Sequence, residues 1–549
     1  MASYLSRHAS TRFGAYYIAV AGLIVSLLGL LASLWWLTGV LAFGALTALG
    51  TYDIVQRRRT VSRNYPILAH IRYFLESIGP EFRQYFIEAD TFESPFSREQ
   101  RSLVYRRAKS TIDKKPFGSL RDMNAPGYEW MGPSLSPVEI TDHDFRVVVG
   151  EHRAKPYKAS VLNISAMSFG ALSPNAISAL NEGAKLGGFY HTTGEGAISP
   201  YHLRGGDLVW QIGSGYFGCR RDDGGFDRDK FKENARRDEV KMIEIKLSQG
   251  AKPGHGGILP GAKVTAEIAS TRGVPEGQDV LSPSKHSAFS TPCEMIHFIQ
   301  ELRTLSGDKP VGIKLALGHP WEWFAMVKAM LECGDRPDYI VVDGGQGGTG
   351  AAPLEFINRL GMPLNDALIL VHNTLVGAGL RDEIRIGASG KIISAFDIAR
   401  TLALGADWVN MARGFMFSLG CIQAQSCHND QCPSGVATQD KARGNRLDVE
   451  DKSVRVKNFH ANTKFALCEM LEAAGLHHPS ELGPEHIIRR LSNGKALPYI
   501  SLIDSLAPKE LLEGGAKNHP LYREFWDLAD ANSFDAPCAL HSLRQTKLL

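Results

Sequence analysis

The sequence predicts an α/β protein: a (β/α)8 TIM barrel with an N-terminal two-helix transmembrane hairpin ahead of it. Three observations predict this. From residue 158 onward, short apolar runs alternate with Gly-rich turns and helical stretches. Strands that alternate with helices form a parallel sheet, and six or more such units over roughly 290 residues favour a closed barrel. Upstream, no charged residue occurs between Arg12 and Asp53, a run of 40 residues.

Composition narrows the function classes. The 549 residues carry 61 Lys+Arg against 58 Asp+Glu, a net charge of +3. That balance excludes the basic footprint of a dedicated nucleic-acid binder, so no nucleic-acid partner is expected. A hydrophobic share of 44% is enough to bury a sizeable core. The 55 Gly are about a tenth of the chain against a usual ~7%, which points to many tight loops. Eight Cys are too few for a disulfide scaffold, so their spacing matters more than their number.

In chain order, four regions are expected: 1–60, a membrane hairpin and basic flank; 61–150, a connecting segment; 151–445, the barrel; and 446–549, a helical extension. A membrane span needs ~20 apolar residues, so the uncharged run is too long for one span and close to two. The expected split is Tyr16–Trp36 and Leu37–Tyr52, with Thr38 and Gly39 near the turn. Arg7 and Arg12 precede the run, and Arg57, Arg58 and Arg59 follow it. Positive charge at both ends places both ends in the cytoplasm, with membrane lipid as the partner. A signal peptide would have an apolar core of only ~7–15 residues. In the connecting segment, Leu68–Ile78 and Gln100–Lys109 have helical periodicity, and Phe117–Pro137 reads as a loop. The runs KASVLNISA, EVKMIEIKL, PVGIKLAL, DYIVVDGG, EIRIGASG and DWVNMARG read as buried strands. TPCEMIHFIQELRTL and SAFDIARTLALG read as helices between them.

Functional residues of a TIM barrel lie just after its strands. Ser165–Ser168 and Phe169-Gly170 end the first strand with small residues that suit a flat aromatic ring. Lys246 ends EVKMIEIKL and, with Gln249 and Lys252, brings two ammonium groups and an amide to one loop. Such a set suits a dicarboxylate, or a flavin ring that holds negative charge when reduced; a solvated Lys-rich loop is the bland reading. Lys314 sits inside the apolar strand VGIKLAL. It either faces an anionic cofactor or forms a buried Lys–carboxylate pair. DGGQGGTG (Asp343–Gly350, with Gly347 and Gly348), GASGK (Gly387–Lys391, with Gly390) and ARG (Ala412–Gly414) follow later strands. Late-strand Gly loops bind phosphate through backbone N–H groups, and Arg413 adds a bidentate contact. No Rossmann fingerprint is present, so one phosphate site indicates a mononucleotide such as FMN.

Cys421, Cys427 and Cys432 follow in CIQAQSCHNDQCPSG, spaced C-x5-C-x4-C. Three clustered thiols suit a three-iron cluster, or a zinc site with His428 as fourth ligand. The other five Cys read as packing residues.

The segments AMSFGALSP, HTTGEG, QIGSGYFG, IKLSQGAKPGHGGILPGAKV, GGTGAAP and CIQAQSCHNDQCPSGVATQD resemble, in the same order, the FMN-dependent synthase domain of bacterial glutamate synthase. The whole chain, including the hairpin and the tail VKNFHANTKFALCEMLEAAGL, resembles the membrane-associated FMN-binding glutamate synthase family. The resemblance implies an oxidoreductase with FMN and a [3Fe–4S] cluster ligated by Cys421, Cys427 and Cys432. It implies that Ala166, Met167, Ser168 and Gln211 line the flavin, with Lys314 near its pyrimidine side. Gly390, Arg413 and Gly414 would hold the phosphate. Lys246, Gln249, Lys252 and Arg272 would bind 2-oxoglutarate or 2-iminoglutarate, with Glu195 nearby. A further substrate hydroxyl is either Ser290 or Thr291. Lys246 or Lys252 would assist proton transfer during reductive amination to glutamate. A bacterial inner membrane, with the barrel on the cytoplasmic side, is the implied location.

Two departures stand out. The hairpin stands where glutamate synthases carry a glutaminase domain, so ammonia is expected from solution or a partner. The family's GEGGQ reads GHGGI here, with His255 and Ile258 replacing an acidic and an amide group. No pyridine-nucleotide domain is seen, so the expected electron donor is external, ferredoxin-like or a membrane carrier. The competing expectation is a membrane-anchored flavin/Fe–S electron-transfer protein, or an oxidoreductase on a different amino or oxo acid.

Overall fold

Two apolar helices, α1 (Gly14–Gly29) and α2 (Trp36–Val55), open the fold of the computed structural model. Residues 12–56, 59–87, 91 and 95–538 are described, so Arg7, Arg57 and Arg58 lie outside the described residues. The chain divides into two compact units, Met1–Asp90 and Thr91–Leu549.

In the first unit α1 and α2 run antiparallel, paired through small residues. A Cβ on Gly22 would meet the Phe43 ring at 2.6 Å, and one on Gly29 would meet the Trp36 ring at 2.3 Å. Close approach over glycine is how apolar helices pair without a hydrophobic driving force. The turn falls between Gly29 and Trp36, not at Thr38–Gly39 as expected. The cause is steric: the Trp36 ring closes over bare Gly29, while Gly39 lies inside α2 against Ser26. α2, with 20 residues, is the one described helix long and apolar enough to cross a membrane; α1 has 16 residues. α3 (Leu68–Phe82) completes the unit, four residues longer than its sequence periodicity indicates.

The second unit begins with α4 (Arg98–Ala108), started by a Ser97–Gln100 capping box. The antiparallel pair Arg146–Val149 and Tyr157–Ser160 leads into the barrel. The barrel strands are β1 (Leu162–Ile164), β2 (His191–Thr192), β3 (Leu208–Ile212), β4 (Val240–Lys246), β5 (Val311–Leu315), β6 (Tyr339–Asp343), β7 (Arg385–Ser389) and β8 (Trp408–Met411). All eight are parallel, and β8 pairs β1 through Asn410 and Asn163, which closes the sheet. Val209, Met242, Tyr339, Val341 and Trp408 pack with Val149 and Ala159. Val149 and Ala159, from the antiparallel pair that leads into the barrel, thereby close its N-terminal end.

Helices α5 (Pro174–Gly187), α6 (Arg228–Ala235), α7 (Pro292–Ser306), α8 (Pro320–Cys333), α9 (Leu364–Gly377), α10 (Ala395–Ala403) and α11 (Arg413–Ser418) surround the sheet. After β2 the usual helix is replaced by a 3-10 turn at Pro200–His202. α12 (Val449–Ala474) packs along α5 and α4. Beyond it Ile487–Arg490 pairs with Glu129–Met131 and Ala496–Pro498, so the expected 117–137 loop contains a strand.

Candidate functional site

The C-terminal ends of the strands carry two groups of buried charge. The first is at β2 and β4. Lys246, the last residue of β4, points its Nζ at Glu195 Oε1, 2.9 Å away in the loop after β2. Glu195 lies between Gly213 and Gly257; a Cβ on either would fall within 2.8 Å of a carboxylate oxygen. Lys252 and Arg272 are buried beside it. Burial raises the Glu195 carboxyl, but Lys246, Lys252 and Arg272 outweigh it and hold the group below the ordinary glutamate value. Burial lowers Lys252, with Glu195 opposing and Lys246 reinforcing the shift. Burial also lowers Arg272, to about 10. Arg272 donates from Nη2 to the Phe169 carbonyl at 3.0 Å, yet its buried Nε has no partner.

Three cations against one carboxylate leave a formal excess of two positive charges. A cavity of about 110 Å³ opens onto Glu195, Lys252 and Arg272, lined also by Ser168, Ile258, Cys427 and His428. Gln249 is half-buried in the same loop as Lys252. Of the two family departures, Ile258 lines this cavity, whereas the ring of His255 packs edge-on against Phe356.

The second group is a network across β3, β4, β5 and β6. Gln211 donates from Nε2 to Glu244 Oε1 at 2.5 Å. Lys314 Nζ lies 3.5 Å from Asp343 Oδ2, so the Lys–carboxylate pair is present. Asp343 also accepts from Ser389 Oγ at 2.6 Å and from the Gly250 N–H at 3.1 Å. Burial raises the Glu244 carboxyl, Lys314 and Gln211 pull it down, and Asp343 adds to the rise; the net shift is upward. Glu244 and Asp343 have no role in the sequence reading. Their signal was a charged residue inside an otherwise apolar strand, the same one that marked Lys314.

The remaining candidates divide. Met167 is buried, and Ala166 and Ser168 are half-buried, after β1. Gly390 has φ +144 and its Cα faces the Gly344 backbone, which no Cβ could approach freely. Arg413 lies against Gly348 and over the Phe96 ring, 5.1 Å from its centroid. Gly347 closes a turn to the Gly344 carbonyl, and Gly414 abuts Met411 and Phe459. Ser290 and Thr291 are instead the start of α7: Thr291 caps the helix and Ser290 Oγ donates to Glu294. Neither lines the charged cavity, because helix capping already uses both hydroxyls.

Cys421, Cys427 and Cys432 share one loop after α11. Among the described residues, no three His, Cys, Asp or Glu side chains are arranged to hold a metal ion. Burial pushes the Cys421 thiol up to about 12, with Cys427 and Cys432 adding to it. Burial also raises Cys427, while Lys263 and Arg413 oppose. Burial raises Cys432 too, but Ser434 and backbone N–H groups of residues 434, 436 and 437 reverse the shift to a net lowering. Gln423, Gln425 and Asp430 hold left-handed φ values in this loop, which non-glycine residues adopt at a cost of about 1–3 kcal/mol each. α4 and its approach clamp the loop: Tyr105 donates to the Cys421 carbonyl at 2.6 Å, and Gln423 exchanges two hydrogen bonds with the Phe96 backbone.

A positioning chain behind Lys246 was not read from the sequence. The Ala288 N–H donates to Tyr216 Oη, and Tyr216 donates to His286 Nδ1. His286 Nε2 then donates to the Lys246 carbonyl at 2.9 Å. A carbonyl only accepts, which fixes this neutral tautomer. A larger cavity of about 620 Å³, lined by Arg385, Asp407 and Val161, lies at the opposite, N-terminal strand ends.

Residues 134–477 match the family model described as the conserved region in glutamate synthase. The glutamate synthase large subunit-like protein YerD of Bacillus subtilis is 39% identical over 86% of this chain and 98% of its own. The archaeal glutamate synthase (NADPH) of Methanocaldococcus jannaschii is 38% identical over 57% of this chain, which spans 59% of that protein. The archaeal-type glutamate synthase (NADPH) of Thermotoga maritima is 34% identical over 66% of this chain and 69% of its own. Among solved structures, a flavocytochrome b2 variant with pyruvate bound aligns over 82% of this chain and 90% of its own, at 13% identity and a TM-score of 0.41. By family match and by near end-to-end identity, this chain belongs to the glutamate synthase family of oxidoreductases.

Proposed function

We propose that the protein reductively aminates 2-oxoglutarate, through 2-iminoglutarate, to glutamate, using external ammonia and an external electron donor. The observation that carries this reading is the excess of positive charge formed by Lys246, Lys252 and Arg272 around Glu195. A dicarboxylate brings two negative charges to that excess. The unpartnered Nε of buried Arg272 is a donor without an acceptor, and a substrate carboxylate supplies one. Lys252, lowered by burial, is the group suited to move a proton at the imine nitrogen. Lys246, fixed through its carbonyl by His286, holds Glu195 in place.

The residues fit FMN. Gly348 leaves bare backbone beside the half-buried Arg413, with bare Gly347 before it and bare Gly390 against Gly344, which suits a phosphate, with Gly414 next to Arg413 in sequence. Lys314 would lie toward the pyrimidine side, and Ala166, Met167, Ser168 and Gln211 would line the ring. When bound, FMN supplies the hydride. Cys421, Cys427 and Cys432 are the residues that would ligate an iron–sulfur cluster; they lie within electrostatic reach of one another, with Arg413 and Lys263 as nearby cations. Such a [3Fe–4S] group would connect the site to a ferredoxin-like donor or a membrane carrier. The hairpin would hold the barrel on the cytoplasmic side of a bacterial inner membrane, in accord with the Arg residues that flank it.

Purified protein is expected to be yellow-brown, with flavin and iron in it. The decisive experiment mixes photoreduced protein with 2-oxoglutarate and ammonium. Reoxidation of the flavin with formation of glutamate supports the reading. Absence of both overturns it in favour of electron transfer alone or of another oxo acid.

A further inference from the structure

α3 carries an apolar face that no described residue of its own unit covers. Residues along a helix advance by about 100° each, so Leu68, Ile71, Phe74, Leu75, Ile78 and Phe82 fall within an arc of about 120°. All six are exposed; Phe74 is 61% exposed. The π-helical turn Arg83–Ile87 prolongs this face with Tyr85 and Phe86.

The opposite face is the one tied to the protein. Ala69 is buried, the Tyr73 ring lies under Arg59 at 5.0 Å, and His70 Nε2 is 3.0 Å from Asp53. Asp53 sits in the last turn of α2 and is 1% exposed. It also accepts the Ile67 N–H at 2.9 Å. Ile67 in turn packs over Gly50 of α2. These contacts fix the start of α3 at the level where the apolar stretch of α2 ends.

The segment that follows Asp53 is basic, although Arg72 pairs with Glu76 at 2.7 Å. Between Asp53 and Glu76 the chain has five Arg (57, 58, 59, 63 and 72) and no Asp or Glu. Juxtamembrane Arg is attracted to anionic headgroups. α3, with 15 residues, is about 22 Å long, too short to cross a core of about 30 Å.

We infer that α3 is an interfacial helix, which lies in the headgroup layer of an anionic bilayer with its apolar face toward the acyl chains. This inference rests on the membrane reading of the hairpin proposed above and adds a second, separable contact. The hairpin anchors the chain, and α3 sets its depth at the surface through the Asp53 tie.

The test uses the full chain reconstituted in vesicles of phosphatidylcholine and phosphatidylglycerol. One set of vesicles contains a lipid with a photoreactive group at the glycerol level, and a second contains one with the group at the acyl-chain end. After illumination, lipid adducts are located by mass spectrometry of proteolytic peptides. Adducts of the glycerol-level probe on residues 68–87, with chain-end adducts on α2, are the expected result. Adducts on α2 alone overturn the placement of α3 and leave the hairpin reading standing. Adducts on neither overturn both. Cross-links between α3 segments of two copies, in place of lipid adducts, also overturn the inference. A triple variant, Ile71→Ser, Phe74→Ser and Leu75→Ser, changes only exposed side chains. It is expected to lose adducts on 68–87 and keep those on α2; undiminished adducts on 68–87 overturn the inference.

Discussion

The guanidinium of Arg413 lies so close over Gly348 that a Cβ there would fall 1.0 Å from Nη2. The guanidinium also lies over the buried Phe96 ring, 5.1 Å from its centroid, so that any shift away from Gly348 changes this packing. Gly348→Ala is therefore expected to displace Arg413 from the proposed phosphate position. Overpacking of this kind costs about 1–3 kcal/mol. Thermal denaturation should show a lowered Tm, and gel-filtered protein should retain less flavin per chain. Normal flavin retention in this variant would separate Arg413 from the phosphate.

The same contact shows where sequence reasoning stops. Gly348 and Arg413 could each be picked out as loop residues after strands, but their mutual approach spans β6 and β8. Six of the eight strands announced themselves as apolar runs. β2 did not, because two residues, His191 and Thr192, are too short a run to carry a pattern. β3 did not, because Gln211 interrupts it and no α-helix follows β2 to frame it. The charged site was readable in Lys246 and Lys252, since glycines and cations cluster in that loop, whereas Arg272 was implied only by the family resemblance. Glu244 escaped because its partners, Gln211 and Lys314, sit on neighbouring strands. Tyr105 and Phe96 escaped because their contacts to the cysteine loop cross more than 300 residues. The hairpin turn was misjudged because uncharged residues hold no polar punctuation, and only the Trp36–Gly29 contact locates it.

Lys252→Ala removes one of the cations that line the cavity. A hydrogen bond to a charged group contributes about 1.5–3 kcal/mol, so 2-oxoglutarate should bind roughly ten- to a hundredfold more weakly. Titration of the flavin absorbance with the oxo acid measures this. Lys252→Arg, which keeps the charge, should retain most of the affinity while slowing proton transfer. Equal affinity in the wild type and the alanine variant would remove Lys252 from the site.

Glu244 gives a pH signature. Its folded pKa is raised by burial above the ordinary value of 4.5, so the folded state binds its proton more tightly than the unfolded chain does. Such a group is neutral toward stability below the unfolded pKa. It becomes destabilising as pH rises through the raised folded value and stays so above it. Glu244→Gln keeps an oxygen for Gln211 to bond and removes the titration. Relative to wild type, the variant should therefore gain stability as pH rises from about 4 to 8. Urea unfolding at several pH values measures the difference, and a difference independent of pH would contradict the shift.

Tyr105 provides a test of the cysteine loop that does not touch a thiol. Its hydroxyl donates to the Cys421 carbonyl at 2.6 Å and holds the start of a loop that already contains three left-handed non-glycine residues. Tyr105→Phe keeps the ring against Phe417 and deletes one hydrogen bond, a change of about 1 kcal/mol. The global Tm should shift little. The rate at which a chelator strips iron from the purified protein should rise, because loop opening exposes Cys421. Cys427→Ser removes a proposed ligand outright and should leave the protein without stoichiometric iron while the barrel still melts cooperatively. If Cys427→Ser retains full iron, the ligand set is wrong. If Tyr105→Phe loses iron no faster than wild type, α4 does not secure the loop.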